Sequence, residues 1–259
     1  MRTARGLDAL ERSNEPVFVV VGVFDGLHLG HAYLLQRLVT EAAERSARPL
    51  VITFDHHPDE VLTGSAPPLL CDPDQRLDLL EAAGVAATVV VHFDQRLRET
   101  PYDVFVAQVA ARAPIAGFLM TPDAAFGYER EGTPAALAEL GAERGFDVVV
   151  VPPFELDGRP VRSADVRTAI AAGDLGTAAR LLGRPHEVVG LTRFSTDGIV
   201  MRFPLPVALP PDGAYEVRIE AAGRREDGVA RVDQGSMLLT EVSPGSRVRV
   251  AFIGPSALD

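Results

Sequence analysis

A chain of 259 residues, 47% hydrophobic and 24% charged, has the balance of a globular protein with room for one large domain or two modest ones, and not that of a disordered or fibrous chain. Asp and Glu number 36 against 25 basic residues, a net charge of −11 that argues against nucleic acid as the main partner. Cys71, the single cysteine, excludes an intramolecular disulfide and a multi-cysteine metal site. The longest apolar run, Val17–Val21, is too short to span a bilayer, and the first residues lack the apolar core of a signal peptide. A cytoplasmic protein with no membrane partner is expected.

All of the basic residues are Arg, so a Lys-dependent phosphate loop is excluded and any phosphate clamp must use Arg, His or backbone N–H groups.

From residue 17 to about 185, short apolar runs alternate with amphipathic stretches. Val17–Val21, Leu50–Phe54, Thr88–Val91, Gly117–Met120 and Val148–Val151 read as strands buried on both faces. Asp72-Pro73-Asp74-Gln75 is a helix start with an N-cap, a proline at the first position and a Gln closing a capping box; Gly84 stops that helix. Thr100-Pro101 and Thr133-Pro134 repeat the start signal, and Asp174 to Gly183 reads as a short capped helix. The alternation predicts an α/β fold, a Rossmann-like doubly wound parallel sheet whose ligands bind outside the C-terminal strand ends. After Arg184-Pro185 the pattern becomes short alternating runs, Ile199–Phe203, Tyr215–Ile219, Ser236–Thr240 and Val248–Ile253, separated by turn clusters at Pro210–Gly213 and Ser243–Gly245. A small antiparallel β-barrel or sandwich follows, giving domains at 1–185 and 186–259. The mixed run Arg224-Arg225-Glu226-Asp227 reads as a solvated turn.

The segment richest in chemistry follows the first strand: Gly22-Val23-Phe24-Asp25-Gly26-Leu27-His28-Leu29-Gly30-His31, then an apolar helix face. Its glycines let backbone approach a ligand, and the loop opens into a helix N-terminus whose free N–H groups favour an anion. Two histidines three apart there can donate to phosphate oxygens and stabilise charge that builds up during phosphoryl or nucleotidyl transfer. A tight turn with solvated histidines is the weaker reading. A metal pair lacks a third Cys or His nearby in sequence, and no residue is assigned as a metal ligand. Asp25 either orients magnesium or the loop, or caps its own Asp-Gly turn.

Gly22-x-Phe-Asp-Gly-x-His-x-Gly-His31 resembles the signature of the HxGH nucleotidyltransferases, and the chain as a whole resembles the bacterial bifunctional riboflavin kinase/FMN adenylyltransferase (FAD synthetase) family. Thr53-Phe54-Asp55-His56-His57-Pro58, the helix from Cys71 to Gly84 and the stretch Gly173–Pro185 are similar to further segments of that family; the likeness is strong over residues 15–190. It implies transfer of AMP from Mg·ATP to the phosphate of FMN, with Mg2+ as cofactor, pyrophosphate as second product, and a C-terminal barrel that phosphorylates riboflavin. It also implies site residues. His28, His31 and Arg167 are catalytic; Gly22, Phe24, Asp25, Gly26, Gly30 and Ser163 bind the nucleotide; His57, Pro58, Asp123, Phe126 and Gly127 border the acceptor.

The departures from the family pattern bear on function. In Thr121-Pro122-Asp123-Ala124-Ala125-Phe126-Gly127 an aromatic and an Arg of the flavin-side stretch have become Ala124 and Ala125. In Arg162-Ser163-Ala164-Asp165-Val166-Arg167 two hydroxyls of a Ser-Ser-Thr motif are gone, while Arg167 and a new Arg162 supply the stronger charged donors. The kinase segment reads Arg202-Phe203-Pro204-Leu205-Pro206-Val207, with Thr and Asn replaced by apolar residues, and Asp233–Leu239 carries no catalytic Glu. Apolar side chains neither ligate magnesium nor accept a proton, so loss of the kinase reaction is expected. Three readings stay open: an FMN adenylyltransferase without kinase activity, a transferase with another acceptor or nucleotide, and a non-catalytic binder. Among other candidates, His56 reads as an exposed loop residue, and His92 and His186 as structural. Cys71 precedes a helix start, where a thiol pKa falls, but has no base beside it.

Overall fold

β-Branched side chains are stiff at χ1 and pack well on a pleated surface, so the Val- and Ile-rich runs become strands wherever neighbours cover them. The computed structural model describes residues 1–196, 198–239 and 242–256. Six strands make one parallel sheet: β1 (Arg2–Arg5), β2 (Val17–Val21), β3 (Arg48–Phe54), β4 (Ala87–Val91), β5 (Ile115–Met120) and β6 (Asp147–Val150). Their order is β1-β4-β3-β2-β5-β6. The chain moves outward from β2 through β3 to β4, then returns to place β5 and β6 on the other side. The order reverses between β2 and β5, which is where such sheets open a ligand crevice at their C-terminal edge. All five expected strands are present. β1, short and flanked by Arg2 and Arg5, has no apolar run to announce it and forms an edge. β6 is the opposite edge, and Val150 is half exposed there, so this strand is not buried on both faces as expected.

Eight α-helices are described: α1 (Leu29–Glu44), α2 (Pro58–Thr63), α3 (Pro73–Ala82), α4 (Gln95–Arg98), α5 (Tyr102–Ala110), α6 (Pro134–Arg144), α7 (Ser163–Ala171) and α8 (Leu175–Leu182). The caps explain most of their ends. Asp72 Oδ1 accepts from Asp74 N and Gln75 N at α3, Thr133 Oγ1 from Ala136 N at α6, and Asp174 Oδ1 from Thr177 N at α8, which Gly183 ends in the left-handed region. Thr100 departs from the expected start: Pro101 is the N-cap of α5, and the Thr100 hydroxyl donates back to Arg96 O at the end of α4.

After a two-stranded hairpin, β7 (Glu155–Leu156) and β8 (Arg159–Pro160), six strands close an antiparallel barrel: β9 (Glu187–Ser195), β10 (Gly198–Arg202), β11 (Gly213–Ala221), β12 (Arg224–Asp233), β13 (Ser236–Leu239) and β14 (Arg247–Pro255). Its core holds Met201, Val217, Met237, Val248, Val250 and Phe252. Closure removes the unpaired edges that a small open sheet would expose. The run Arg224–Asp227 is not a turn: it begins β12 and pairs with β11, and the turn is Ala222-Gly223, both at positive φ. Thr240, the expected end of the third barrel run, lies outside the described residues.

Two compact units interleave along the chain. One comprises Met1–Phe24, Gly30–Ala66 and Leu77–Pro160; the other comprises Asp25–Leu29, Pro67–Arg76 and the chain from Val161 onward. The first holds the parallel sheet and a core including Val19, Ile52, Val89 and Phe118. The second adds to the barrel a cluster in which Leu70 packs with Val166 and Ile170 of α7 and Ala178 and Leu182 of α8. No helix among the described residues is long and apolar enough to cross a membrane.

Candidate active site

Beyond β2 the backbone turns sharply. Phe24, Gly26 and Leu27 all lie at positive φ (53°, 76° and 37°). Two are non-glycine residues in a region that costs roughly 1–3 kcal/mol each, so the surroundings must hold the turn in place. Gly26 has a second constraint, since a Cβ there would sit 2.7 Å from Leu70 Cβ.

Asp25 is the principal holder. Its side chain is 3% exposed and accepts hydrogen bonds from Leu70 N at 2.9 and 3.0 Å and from Cys71 N at 3.2 Å. Arg167 Nη2 pairs with Asp25 Oδ2 at 2.5 Å, and Arg167 Nε donates to Pro68 O at 2.8 Å. Ser163 Oγ, at the first position of α7, donates to Asp25 O at 3.3 Å. Arg184 completes the set by donating to Gly26 O at 2.8 Å and Leu27 O at 3.3 Å. Sequence reasoning gave Arg184 no role; its position beside Gly183 and Pro185 looks like a helix stop and nothing more. Asp25 bonds to residues distant in sequence and not to its own turn. Its carboxylate oxygens are committed to the protein, so it orients the loop and presents no free oxygen to a metal ion.

His28 is buried in the same unit. Burial lowers its pKa to about 4, opposed by Asp165 and reinforced by Arg167 and Arg184. At neutral pH it is an uncharged imidazole. Gly30 and His31 occupy the first turn of α1, and the His31 ring lies 5.2 Å from the Phe24 ring. Cys71 does not show the lowered pKa that a helix start permits. Burial first, and then the Asp25 charge, push its thiol up to about 12, while Gly26 N donates to its sulfur at 3.2 Å. It is an inert core residue rather than an activated thiol.

The parallel-sheet unit contains a cavity of roughly 680 Å³, within the usual size for a small-molecule site, at the C-terminal ends of β2, β3 and β5. Gly22, His57, Pro58, Asp123, Phe126 and Gly127 all line it, and so do Ala124 and Ala125. His57 is the N-cap of α2, its Nδ1 accepting from Asp59 N at 3.2 Å, and Pro58 takes the first helical position. Thr121 Oγ1 donates to Asp123 Oδ1 at 2.8 Å, and Arg130 Nη2 to Asp123 O at 3.0 Å. The Phe126 ring packs 5.4 Å from Phe105 and 5.9 Å from Phe118. Much of the wall escaped sequence reasoning: Phe54, Phe93, Phe105 and Tyr128 also face the cavity. Phe54 and Phe105 sit in apolar runs that read as core, and no local pattern separates a core phenylalanine from a cavity wall.

The remaining histidines differ in kind. His186 is 1% exposed, stacks at 5° on Phe252, and joins Ala208 O through Nε2 at 2.8 Å; burial lowers its pKa to about 4. It is structural, as expected. His56 and His92 both turn toward Asp55.

The strand-to-helix loop carrying His28-Leu29-Gly30-His31, together with the family match, makes the chain an enzyme of the nucleotidyltransferase class. A model of the FAD synthetase family matches residues 10–165. Three relatives described as bifunctional riboflavin kinase/FMN adenylyltransferases align through most of the chain. That of Haemophilus influenzae is 32% identical, covering 93% of this chain and 83% of its own. That of Pseudomonas fluorescens is 30% identical (90% and 77%), and that of Escherichia coli 31% (90% and 78%). The chain belongs to the FAD synthetase family. A solved structure from Streptococcus pneumoniae, described as a macrolide-efflux protein, superposes with a TM-score of 0.81 over 98% of this chain and 90% of its own. At 22% identity that likeness is one of fold alone.

Proposed function

We propose that the protein is an FMN adenylyltransferase without riboflavin kinase activity, working in the cytoplasm. A phosphate oxygen of FMN attacks the α-phosphorus of Mg·ATP in line, the bond from that phosphorus to the bridging oxygen breaks, and pyrophosphate leaves as FAD forms. The observation that carries this reading is the aromatic-walled cavity at the strand ends, lined by every residue expected to border the acceptor. A flat apolar ring system with a phosphate tail fits such walls, with Phe126 and its aromatic neighbours taking the ring and His57 giving a polar group.

His28 and His31 donate to phosphate oxygens, His28 as a neutral imidazole whose pKa rises when an anion arrives. Gly22, Phe24, Gly26 and Gly30 shape the nucleotide loop. Asp25 and Ser163 hold it, and Arg167 is preorganised by Asp25 and Pro68 to face phosphate. With the Asp25 oxygens committed, Mg2+ belongs to the substrate Mg·ATP rather than to a protein carboxylate at that position. Residues 1–185 would perform the transfer and 186–259 serve as a barrel without chemistry of its own, because Leu205, Pro206 and Val207 stand where the kinase pattern needs polar ligands.

The test incubates the full chain with Mg·ATP and either FMN or riboflavin and separates the products by chromatography. FAD with equimolar pyrophosphate from FMN, and no FMN from riboflavin, is expected. His31→Ala should lower turnover about 10²–10³-fold, the usual cost of losing one donor to developing charge. FMN made from riboflavin would overturn the loss of the kinase. Bound ATP without FAD would point to a different acceptor, a reading favoured by the room that Ala124 and Ala125 leave in the cavity wall.

A further inference from the structure

At the C-terminal edge of the parallel sheet, beside the cavity, three side chains converge whose chemistry neither the family pattern nor the proposed reaction uses. Asp55 follows β3 directly, His56 is its neighbour, and His92 follows β4 directly. Their ligand atoms all lie within 4.8 Å of one another. Asp55 Oδ2 is 2.7 Å from His92 Nδ1, and Asp55 Oδ1 is 3.1 Å from His56 Nδ1. The carboxylate does not turn freely, because Oδ1 also accepts from His56 N at 2.8 Å and Phe93 N at 3.3 Å. The two imidazole rings meet edge to face, 5.6 Å apart, so both nitrogens address the same carboxylate from different sides. The parallel register between β3 and β4, which pairs Phe54 with Val91, brings the two loop starts together.

We propose that Asp55, His56 and His92 bind a divalent transition-metal ion, zinc in the first instance, at the rim of the cavity. Two imidazoles and one carboxylate are borderline ligands suited to zinc, whereas magnesium and calcium take oxygen donors. Tetrahedral ligands at about 2.0–2.2 Å from an ion stand roughly 3.3–3.6 Å from one another, so the Asp55 contacts of 2.7 Å to His92 and 3.1 Å to His56 open a little as the ion takes the place of the bridging proton. The side chains of His56 and His92 are 42% and 64% exposed, so rotation toward a common centre meets little resistance. The Phe93 amide on Asp55 is the outer hydrogen bond that ligating carboxylates ordinarily keep. Three protein ligands leave an open position for water. The ion would clasp the starts of the β3–α2 and β4–α4 loops, which carry His57 and Phe93 into the cavity wall.

The test is calorimetric titration of zinc chloride into the full chain after dialysis against a chelator, with the visible spectrum of the cobalt(II)-loaded protein recorded in parallel. One zinc per chain is expected. His56→Ala and His92→Ala should each weaken it about tenfold or more, and the double variant should lose both the zinc heat and the cobalt d–d bands. Thermal melts in chelator, unchanged between the variants and the parent, confirm that the variants fold. No zinc uptake by the parent chain, or uptake by the double variant within tenfold of the parent, overturns the proposal.

Discussion

Asp25 and Arg167 illustrate how one buried pair serves both architecture and site. Asp25 is 3% exposed and Arg167 17% exposed, so neither charge is well solvated by water. The pair's value lies in what its loss leaves behind. Removing the guanidinium in Arg167→Ala strands a buried carboxylate, at a cost of about 3–5 kcal/mol. Asp25→Asn keeps an oxygen for Leu70 N and leaves a cation that can turn toward solvent, which costs less. Urea unfolding of the two single variants and the double variant should therefore show Arg167→Ala as the more destabilised single change. The double variant should recover part of the loss, through a coupling that independent sites do not show. Equal and additive losses would mean that the pair is not coupled.

Among the elements, the segment from Phe126 to Gly132 depends most on small residues. Phe126 and Gly132 bridge to one another, and the segment lies against the first turn of α5 so closely that a Cβ on Gly127 would meet Tyr102 N and Cβ at 2.6 Å. Gly127 also sits at φ 81°, where any other residue adds about 1–2 kcal/mol of strain. Gly127→Ala should push the segment off α5 and reshape the cavity wall that Phe126 forms. Flavin fluorescence titration should show binding weakened about tenfold or more, with a thermal midpoint only a few degrees lower. Unchanged flavin affinity would remove this segment from the acceptor site.

The elements also show where sequence was legible. Strands with apolar runs and helices with Asp or Thr caps are visible because the signal is local. β1, β9 and β12 are not, because an exposed edge strand, a strand whose last residues are mostly exposed and a hairpin arm beginning Arg-Arg-Glu-Asp carry no clear alternation, and pairing with β4, with β10 and β14, and with β11 makes them strands. The motif loop was legible as chemistry, and Asp25, Ser163 and Arg167 among its holders were named with it, but Arg184 and Leu70 were not, since they reach it only through the tertiary fold.

At the scale of the whole molecule, two imidazoles, His28 and His186, are buried with pKa values of about 4 against an ordinary 6.5. An unfolded chain takes up those protons first, so the stability they permit is fully present above pH 6.5 and lost as the pH falls toward 4. Each contributes on the order of 3 kcal/mol to that loss. Urea midpoints recorded from pH 7.5 downward should fall steeply through this window. His186→Phe, which keeps a ring against Phe252, should flatten the slope even though it lowers stability at neutral pH by leaving Ala208 O unpaired. A slope unchanged in that variant would place the proton uptake elsewhere.

The five residues Asp25–Leu29 belong to the barrel-bearing unit, although the strand before them and nearly all of the helix after them belong to the other. Their anchors, Ser163, Arg167 and Arg184, all come after the parallel sheet is complete. A gene shortened at Pro160 would still encode every sheet strand and the whole cavity, yet it would have lost the groups that hold the signature loop in its strained shape. Inheritance of this chemistry by fusion or exchange of segments is therefore constrained. A recombination joint before Arg184 separates the signature from its scaffold, whereas one after Pro185 moves both together and leaves the barrel free to diverge.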